Sequence, residues 1–272
     1  MRLSELGERG LLAELEQRGL IVGVEHDAAE LAGGLVATQD ALVEGVHFRL
    51  DWISWRDLGW RAAAVNLSDL AASGADPDAL LVTLAAPAES LLENVVAFYE
   101  GIAETGVRVV GGDTTSAPVV VVSVTAFGRS SRVPGRAGAK PGDALVVTGP
   151  LGGAGAAFRN DSYIRPPIRL AEGRRLAETA HALLDISDGI AVDAGHLARR
   201  SGVRCVLDLE RVPLAEGATI DDLGFGEDFE LLAAVEHPSG FEVVGHVEAG
   251  TGVELRLNGR PHALPGFEHF AS

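Results

Sequence analysis

Aspartates in this chain recur where an apolar run stops or a small-residue helix turns, and that placement restricts how the chain can fold. Asp40 follows Gly-Leu-Val-Ala-Thr-Gln (34–39), and Asp69 sits in Ala-Val-Asn-Leu-Ser-Asp-Leu-Ala-Ala (64–72). Asp113 follows Val-Arg-Val-Val-Gly-Gly (107–112), and Asp185 and Asp188 bracket Ile-Ser in Leu-Leu-Asp-Ile-Ser-Asp-Gly (183–189). A carboxylate at a buried strand end is costly unless something positive offsets it, and most of these have no Lys or Arg beside them in sequence. Several hard divalent cations carrying a polyphosphate would satisfy the pattern. The residues therefore point toward phosphoryl transfer from a nucleotide.

The net charge of −17 argues against nucleic acid or an anionic membrane as a partner. A phosphate ligand then requires metal ions to reverse the local sign. Lys140 is the single lysine and lies in Ala-Gly-Ala-Lys-Pro-Gly, so the phosphate-cradling G-x-x-x-x-G-K-[ST] loop is absent. Cys205, the single cysteine, excludes a disulfide framework and a thiolate metal site, and is expected to be a packed small residue. The opening Met-Arg-Leu-Ser-Glu-Leu has no hydrophobic signal core. No apolar stretch reaches the length of about 18 residues that a membrane span needs. The expectation is a cytoplasmic enzyme.

Hydrophobic periodicity predicts a helix over 3–18 and strands over 35–38, 79–85, 107–110 and 119–127. Helices are expected over 55–73 and 91–106. The Gly-, Pro- and Arg-rich stretch 128–143 reads as a boundary, giving domains 1–135 and 136–272. Beyond it, strands are expected over 144–148, 182–186, 203–209, 231–235, 243–247 and 253–257, with helices over 168–180 and 188–201, the latter with Asp188 near its N-cap. Alternating strands and helices in both halves suggest a two-domain α/β or α+β protein, which 272 residues are enough to build.

Each candidate site residue has a bland reading beside the chemical one. Asn66 and Asp69 share a helix face, either as an exposed polar stripe or as ligands. Gly111-Gly112-Asp113-Thr114-Thr115 is either a β-turn or a place where bare backbone approaches an anion. In Asp185-Ile186-Ser187-Asp188-Gly189, Asp185 and Ser187 point the same way and the following helix start favours phosphate; capping by Asp188 leaves Asp185 unexplained. Gly149-Pro-Leu-Gly-Gly-Ala-Gly is a phosphate loop or a packing turn, and Phe158 stands where G-x-G-x-x-G needs its last glycine. His47 reads first as a packing residue, and Trp52, Trp55 and Trp60 as core or interface. The acids of Gly226-Glu227-Asp228-Phe229-Glu230 are a solvated turn or face a cationic ligand or metal.

Taken in order, Asp-Ala-Leu-Val-Glu-Gly-Val-His-Phe (40–48), Ala-Val-Asn-Leu-Ser-Asp-Leu-Ala-Ala-Ser-Gly-Ala (64–75) and Gly-Gly-Asp-Thr-Thr (111–115) resemble the thiamine-monophosphate kinase family. The resemblance continues through Arg-Ala-Gly-Ala-Lys-Pro-Gly-Asp (136–143), Asp-Ile-Ser-Asp-Gly (185–189), Gly-Glu-Asp-Phe-Glu-Leu (226–231) and Gly-Phe-Glu-His-Phe (266–270), spanning nearly the whole chain. This family belongs to the superfamily of aminoimidazole ribonucleotide synthetase and selenophosphate synthetase. It implies transfer of the ATP γ-phosphoryl group to thiamine monophosphate, with several Mg²⁺ ions and ATP as co-substrate. It also implies a homodimer whose N-terminal α/β domains meet in a β-barrel-like interface, each followed by a C-terminal α/β domain.

Carried over by position, the resemblance implies that Asp27, Thr38, Gln39, Asp40, Asp69, Asp113, Asp185 and Asp188 surround the metal. Gly112, Asp113, Arg136, Ser187 and Tyr99 would contact ATP, and His47, Glu227 and Phe267 the thiamine phosphate. Asp113, Arg136 and Asp188 would be the catalytic residues. The chain departs from the family at Val24-Glu25-His26-Asp27, where Gly-Asp-Asp is usual, and at Gln39, where Thr is usual; segments 155–165 and 214–225 look short. One alternative is another ATP-dependent enzyme of the superfamily, of the aminoimidazole ribonucleotide synthetase kind. Selenophosphate synthetase would need a reactive Cys or selenocysteine near the N-terminus. Another alternative is a non-catalytic nucleotide- or metal-binding regulator.

Overall fold

The computed structural model describes residues 2–22, 26–238, 240–264 and 266. Helix α1 (Leu3–Gln17) is interrupted at Gly7, whose φ of 68° is not helical. Strands β1 (Ala29–Leu31) and β2 (Leu35–Val43) follow, then helix α2 (Trp55–Ala72), β3 (Asp76–Ala86), α3 (Leu92–Ala103), β4 (Val109–Ser116) and β5 (Val121–Arg129). These strands form one sheet in the order β1-β2-β5-β3-β4. β2 pairs antiparallel with β5 from Leu35↔Arg129 to Val43↔Val121, whereas β4 runs parallel to β3.

The second sheet is built from β6 (Ala144–Val147), β7 (Ala182–Asp185), β8 (Arg204–Asp208), β9 (Leu231–Val235), β10 (Glu242–Glu248), β11 (Gly252–Leu257) and β12 (Arg260–His262), in the order β12-β11-β8-β10-β6-β9-β7. Helices α4 (Gly153–Phe158), α5 (Leu170–Thr179) and α6 (Ile190–Ser201) belong to this half. Cys205 is fully buried in its core, as expected. The fold is thus mixed α/β with two sheets, and neither closes into a barrel among the described residues.

Helix α2 joins the two halves. Ser54 caps it by accepting from the Asp57 amide, and 13 of its 18 residues are buried. A helix apolar on every side must be covered on every side. Leu58, Ala62, Leu67 and Leu70 pack with Val36, Val82, Val122 and Val124 of the first sheet, while Ala71 and Ala72 pack with Leu183, Leu231 and Ala233 of the second. Neighbouring helices approach at glycines. A Cβ on Gly59 would lie 1.8 Å from the Phe98 carbonyl oxygen, and one on Gly173 would lie 2.1 Å from that of Ala71. Backbones this close leave no room for any side chain.

Two expectations about strand ends are corrected. β2 does not stop before Asp40 but continues to Val43. The Gly-Gly-Asp-Thr-Thr stretch is not a turn after a strand; it is the strand itself, with Val82↔Gly112 and Thr83↔Asp113 in register. Gly112 is needed there because its φ is 143° and a Cβ would sit 1.8 Å from the Val82 oxygen. Asp40 and Asp113 therefore lie within strands, where neighbouring strands hold them by backbone hydrogen bonds.

Candidate active site

Strand alternation sorts the side chains of β2. Thr38 is buried on the face toward α2, and the Asp40 side chain shares that face. Thr38 Oγ1 donates to Asp69 Oδ2 at 2.5 Å, and the Asp40 amide donates to Asn66 Oδ1 at 3.1 Å. From the adjoining side of α2, Ser68 donates to Asp185 Oδ2 at 2.7 Å, at the end of β7. Asn66, Ser68 and Asp69 thus tie the first sheet to the second within one helical turn.

The outcome is a cluster of facing carboxylates. Asp27, Asp69 and Asp185 each offer an oxygen within 4.8 Å of the others. Among the described residues Arg136 is the one cation bonded to them: its Nε donates to Asp27 Oδ1 at 2.8 Å and a terminal nitrogen donates to the same oxygen. At that separation two ionised carboxylates repel by about 3–4 kcal/mol at an effective dielectric constant of about 20. Burial pushes Asp27 above the usual carboxylate range, opposed by Arg136. Burial also raises Asp40. Asp69 is driven well above its ordinary value by burial and by Asp185, Asp40 and Asp27. Asp185 is pushed up to about 8 by burial and by Asp27, opposed by its bond from Ser68 and by Arg136. A second group, Asp188, Asp193 and His196, gathers at the start of α6. There the Asp188 amide donates to Asp193 Oδ2 at 3.1 Å. Gly189, at φ 103°, takes the N-cap position instead of Asp188.

The acids of residues 227–230 are not a solvated turn. Glu227 pairs with Arg61. Asp228 accepts from the Gly152 amide at 2.8 and 2.9 Å. Glu230 is held by Arg169 and by Thr148 at 2.6 Å. The anion at the glycine-rich turn before α4 is therefore the protein's own Asp228, and the turn serves packing.

Comparison with known proteins agrees with this arrangement. The family model described as AIR synthase related protein, N-terminal domain, matches residues 25–130. The thiamine-monophosphate kinase of Aquifex aeolicus is 32% identical over 99% of this chain and 100% of its own length. That of Rhodopirellula baltica is 36% identical over 84% and 79% of the two chains. The solved structure of AaThiL complexed with AMPPCP and TMP superposes with a TM-score of 0.90 and 32% identity, covering 99% of each chain. This chain belongs to the thiamine-monophosphate kinase family.

The positions that thiamine-monophosphate kinase motifs single out fall into distinct groups in the structure. Asp27, Thr38, Asp40, Asp69 and Asp185 come together, with Arg136 on Asp27 and with Ser187 and Asp188 following Asp185. The Gln39 side chain does not join them. It lies on the exposed face of β2, bonded to Ser123 at 3.1 Å and Thr125 at 3.3 Å. Gly112, Asp113 and Tyr99 line a separate hollow of about 320 Å³ with Val82 and Val109. β4 lies three strand spacings from β2 in the sheet order, about 14 Å. His47 follows β2, its Nδ1 accepting from the Val43 amide at 3.0 Å. Phe267 lies outside the described residues. Sequence reasoning missed Arg61, Ser68, Arg169 and Asp193. Arg61 could have been found as the one cation inside the alanine-rich run of α2; Arg169 had no comparable local signal.

These titrations carry a pH signature. Asp185 titrates near 8 when folded, against an ordinary value of 3.8, so between these the folded state holds a proton that the unfolded state lacks. Metal-free protein should therefore lose at least about 1.4 kcal/mol of stability per pH unit, the share of this one group, as pH rises from about 5 to 8. Urea denaturation in EDTA reads this slope. Asp185→Asn should lessen it, the raised Asp69 keeping the remainder, and stability that rises with pH across that window would refute the assignment.

Proposed function

We propose that this chain transfers the γ-phosphoryl group of ATP to thiamine monophosphate, giving thiamine diphosphate and ADP. The observation that carries the reading is the cluster of Asp27, Asp69 and Asp185, with Arg136 as its one bonded counter-ion among the described residues. It is supported by a relative matching over 99% of the chain that holds AMPPCP, the methylene analogue of ATP, together with TMP. The donor set fits Mg²⁺: it is all hard oxygen, half-buried to buried, and two negative charges in excess of its guanidinium. Asp27, Thr38, Asp40, Asp69, Asp185 and Asp188 would hold such ions, with the Gln39 carbonyl and Asp113. When bound, Mg²⁺ offsets charge on the phosphoryl oxygens.

The chain's own groups supply alignment. Thr38 and Ser68 fix one oxygen each of Asp69 and Asp185 before any ligand arrives. Arg136 spends Nε and one terminal nitrogen on Asp27, and its other terminal nitrogen is the donor for a phosphoryl oxygen. The acceptor phosphate is already ionised at neutral pH, so no strong general base is required. Ser187, Gly112 and Tyr99 would contact the nucleotide, and His47, Glu227 and Phe267 the thiamine end. The division into residues 1–135 and 136–272 places the acidic strand β2 and helix α2 in one half and Asp185 in the other, so the reaction would occur at their seam.

Asp113 lies too far from the cluster to serve it within one chain. Every residue of β4 is exposed, Val110 by 61%, and Leu91, Leu92 and Val96 at the start of α3 are exposed too. An open strand edge of this kind pairs with another chain unless protected. The chain would be a homodimer through this face, two open sheets forming the barrel-like interface, with Asp113 of one copy serving the cluster of the other.

Two measurements test this. ADP formation should require both Mg²⁺ and thiamine monophosphate; ATP turnover indifferent to thiamine monophosphate would instead favour another enzyme of the superfamily, and no turnover a regulator. Asp113→Asn and Asp69→Asn should each lower kcat by about 100-fold or more. Unfolded and refolded together, the two variants should recover roughly a quarter of wild-type activity, because random pairing leaves one intact site in each mixed dimer. Recovery of none would place Asp113 and Asp69 in the same chain's site, or remove Asp113 from it.

A further inference from the structure

Arg61 is 5% exposed, yet it sits on the alanine-rich helix α2. A guanidinium this deep needs a partner for its charge. It has one in Glu227 Oε1, to which a terminal nitrogen donates. Behind it, the Arg61 guanidinium carbon lies 5.4 Å from the centre of the Tyr163 ring, a cation–π contact. Arg61 Nε and the Tyr163 hydroxyl are buried with no hydrogen-bond partner among the described residues. The guanidinium is therefore bracketed between an aromatic face and one carboxylate oxygen.

Glu227 is held as tightly from the backbone side. Its φ of 59° is left-handed and that of Gly226 is 84°. A Cβ on Gly226 would lie 2.3 Å from the Ser187 oxygen, and the Glu227 amide donates to that same oxygen at 2.8 Å. The Phe229 amide donates to Ile186 at 2.9 Å. The loop is thus sewn to the strand end that carries Asp185 and Ser187. Non-glycine residues adopt such backbone angles at a cost, and do so where neighbours over-determine them. The Glu227 side chain remains 32% exposed, and Oε2 takes no hydrogen bond among the described residues.

We propose that Arg61 is a positioning residue for the phosphate acceptor: it grips Glu227 Oε1 so that Oε2 is presented, in a fixed direction, to the cationic or N–H-donating end of that molecule. The inference rests on the acceptor reading given above. Arg61 and Asp69 lie on the same helix, eight residues or about 12 Å apart along its axis. One rigid rod therefore sets the distance between the place that takes the acceptor's phosphate and the place that takes its other end. An extended acceptor with an anion at one end and a positive or N–H-bearing ring at the other matches that spacing. A short phosphorylated acceptor would leave Oε2 unanswered, and a buried acceptor group left unpaired discriminates against the wrong molecule.

Steady-state kinetics of the whole protein with Mg-ATP test the proposal. Arg61→Met should raise KM for thiamine monophosphate by about 10–100-fold while KM for ATP stays within about twofold. Arg61→Lys keeps the charge but not the planar fork and should fall between. Arg61→Met combined with Glu227→Gln should be no worse than Glu227→Gln alone, since both act through one carboxylate. A structural role for Arg61 would move both KM values together, or make the double variant's loss the product of the single losses, and either result overturns the proposal. Should Arg61→Met fail to fold, as its Tm would show, Arg61→Lys decides alone: an unchanged KM for thiamine monophosphate overturns it. Wild-type protein that does not use thiamine monophosphate would refute the acceptor reading; wild-type turnover with Arg61 variants unaltered would refute only this inference.

Discussion

The repulsion among Asp27, Asp69 and Asp185 is the constraint on which the rest of the structure depends. Three carboxylates within 4.8 Å of one another, opposed by one bonded guanidinium, cannot all stay ionised in a buried setting without help. Left alone, the cluster keeps protons well above the pH at which a carboxylate normally releases them. A hard dication removes that penalty. The strain that makes the metal-free site unfavourable is thus the same term that makes it a receptor for magnesium and, through magnesium, for phosphate in a chain of net charge −17.

Helix α2 turns this local electrostatic feature into a fold-level one. Its alanines and the glycines that meet it let two sheets and two further helices approach one rod. The few polar residues on that rod are therefore forced into the seam: Asp69 and Asn66 meet β2, Ser68 meets Asp185, and Arg61 meets Glu227. A side chain placed between two sheets cannot relax away from its partner without moving one of them, which is the kind of rigidity phosphoryl transfer needs.

Much of this was legible in the sequence, because the signals were local. The period of apolar residues located α2 and the central strands, and the runs of Asp after apolar stretches named most of the cluster. The family motifs set the order and drew in Asp27 and Thr38. What failed was the assumption that polar residues end strands. Asp40 and Asp113 lie inside β2 and β4, where ladder bonds and an obligatory glycine outweigh low strand propensity. Gln39 was lost because adjacent strand residues face opposite ways. The pairings of Arg61 with Glu227, Arg169 with Glu230 and Arg136 with Asp27 join residues 61 to 166 positions apart, and nothing local in a single sequence reports such separations. No helix among the described residues is long and apolar enough to cross a membrane.

Calorimetric titration of Mg²⁺ into metal-free protein at pH 7, repeated in two buffers of different ionisation enthalpy, tests the central claim most directly. Because Asp185 is pushed up to about 8 and Asp69 is held well above its ordinary value, the account predicts saturable binding with net proton release, and loss of both in Asp69→Asn. Absence of binding, or binding with no proton released and unaltered by Asp69→Asn, would contradict it.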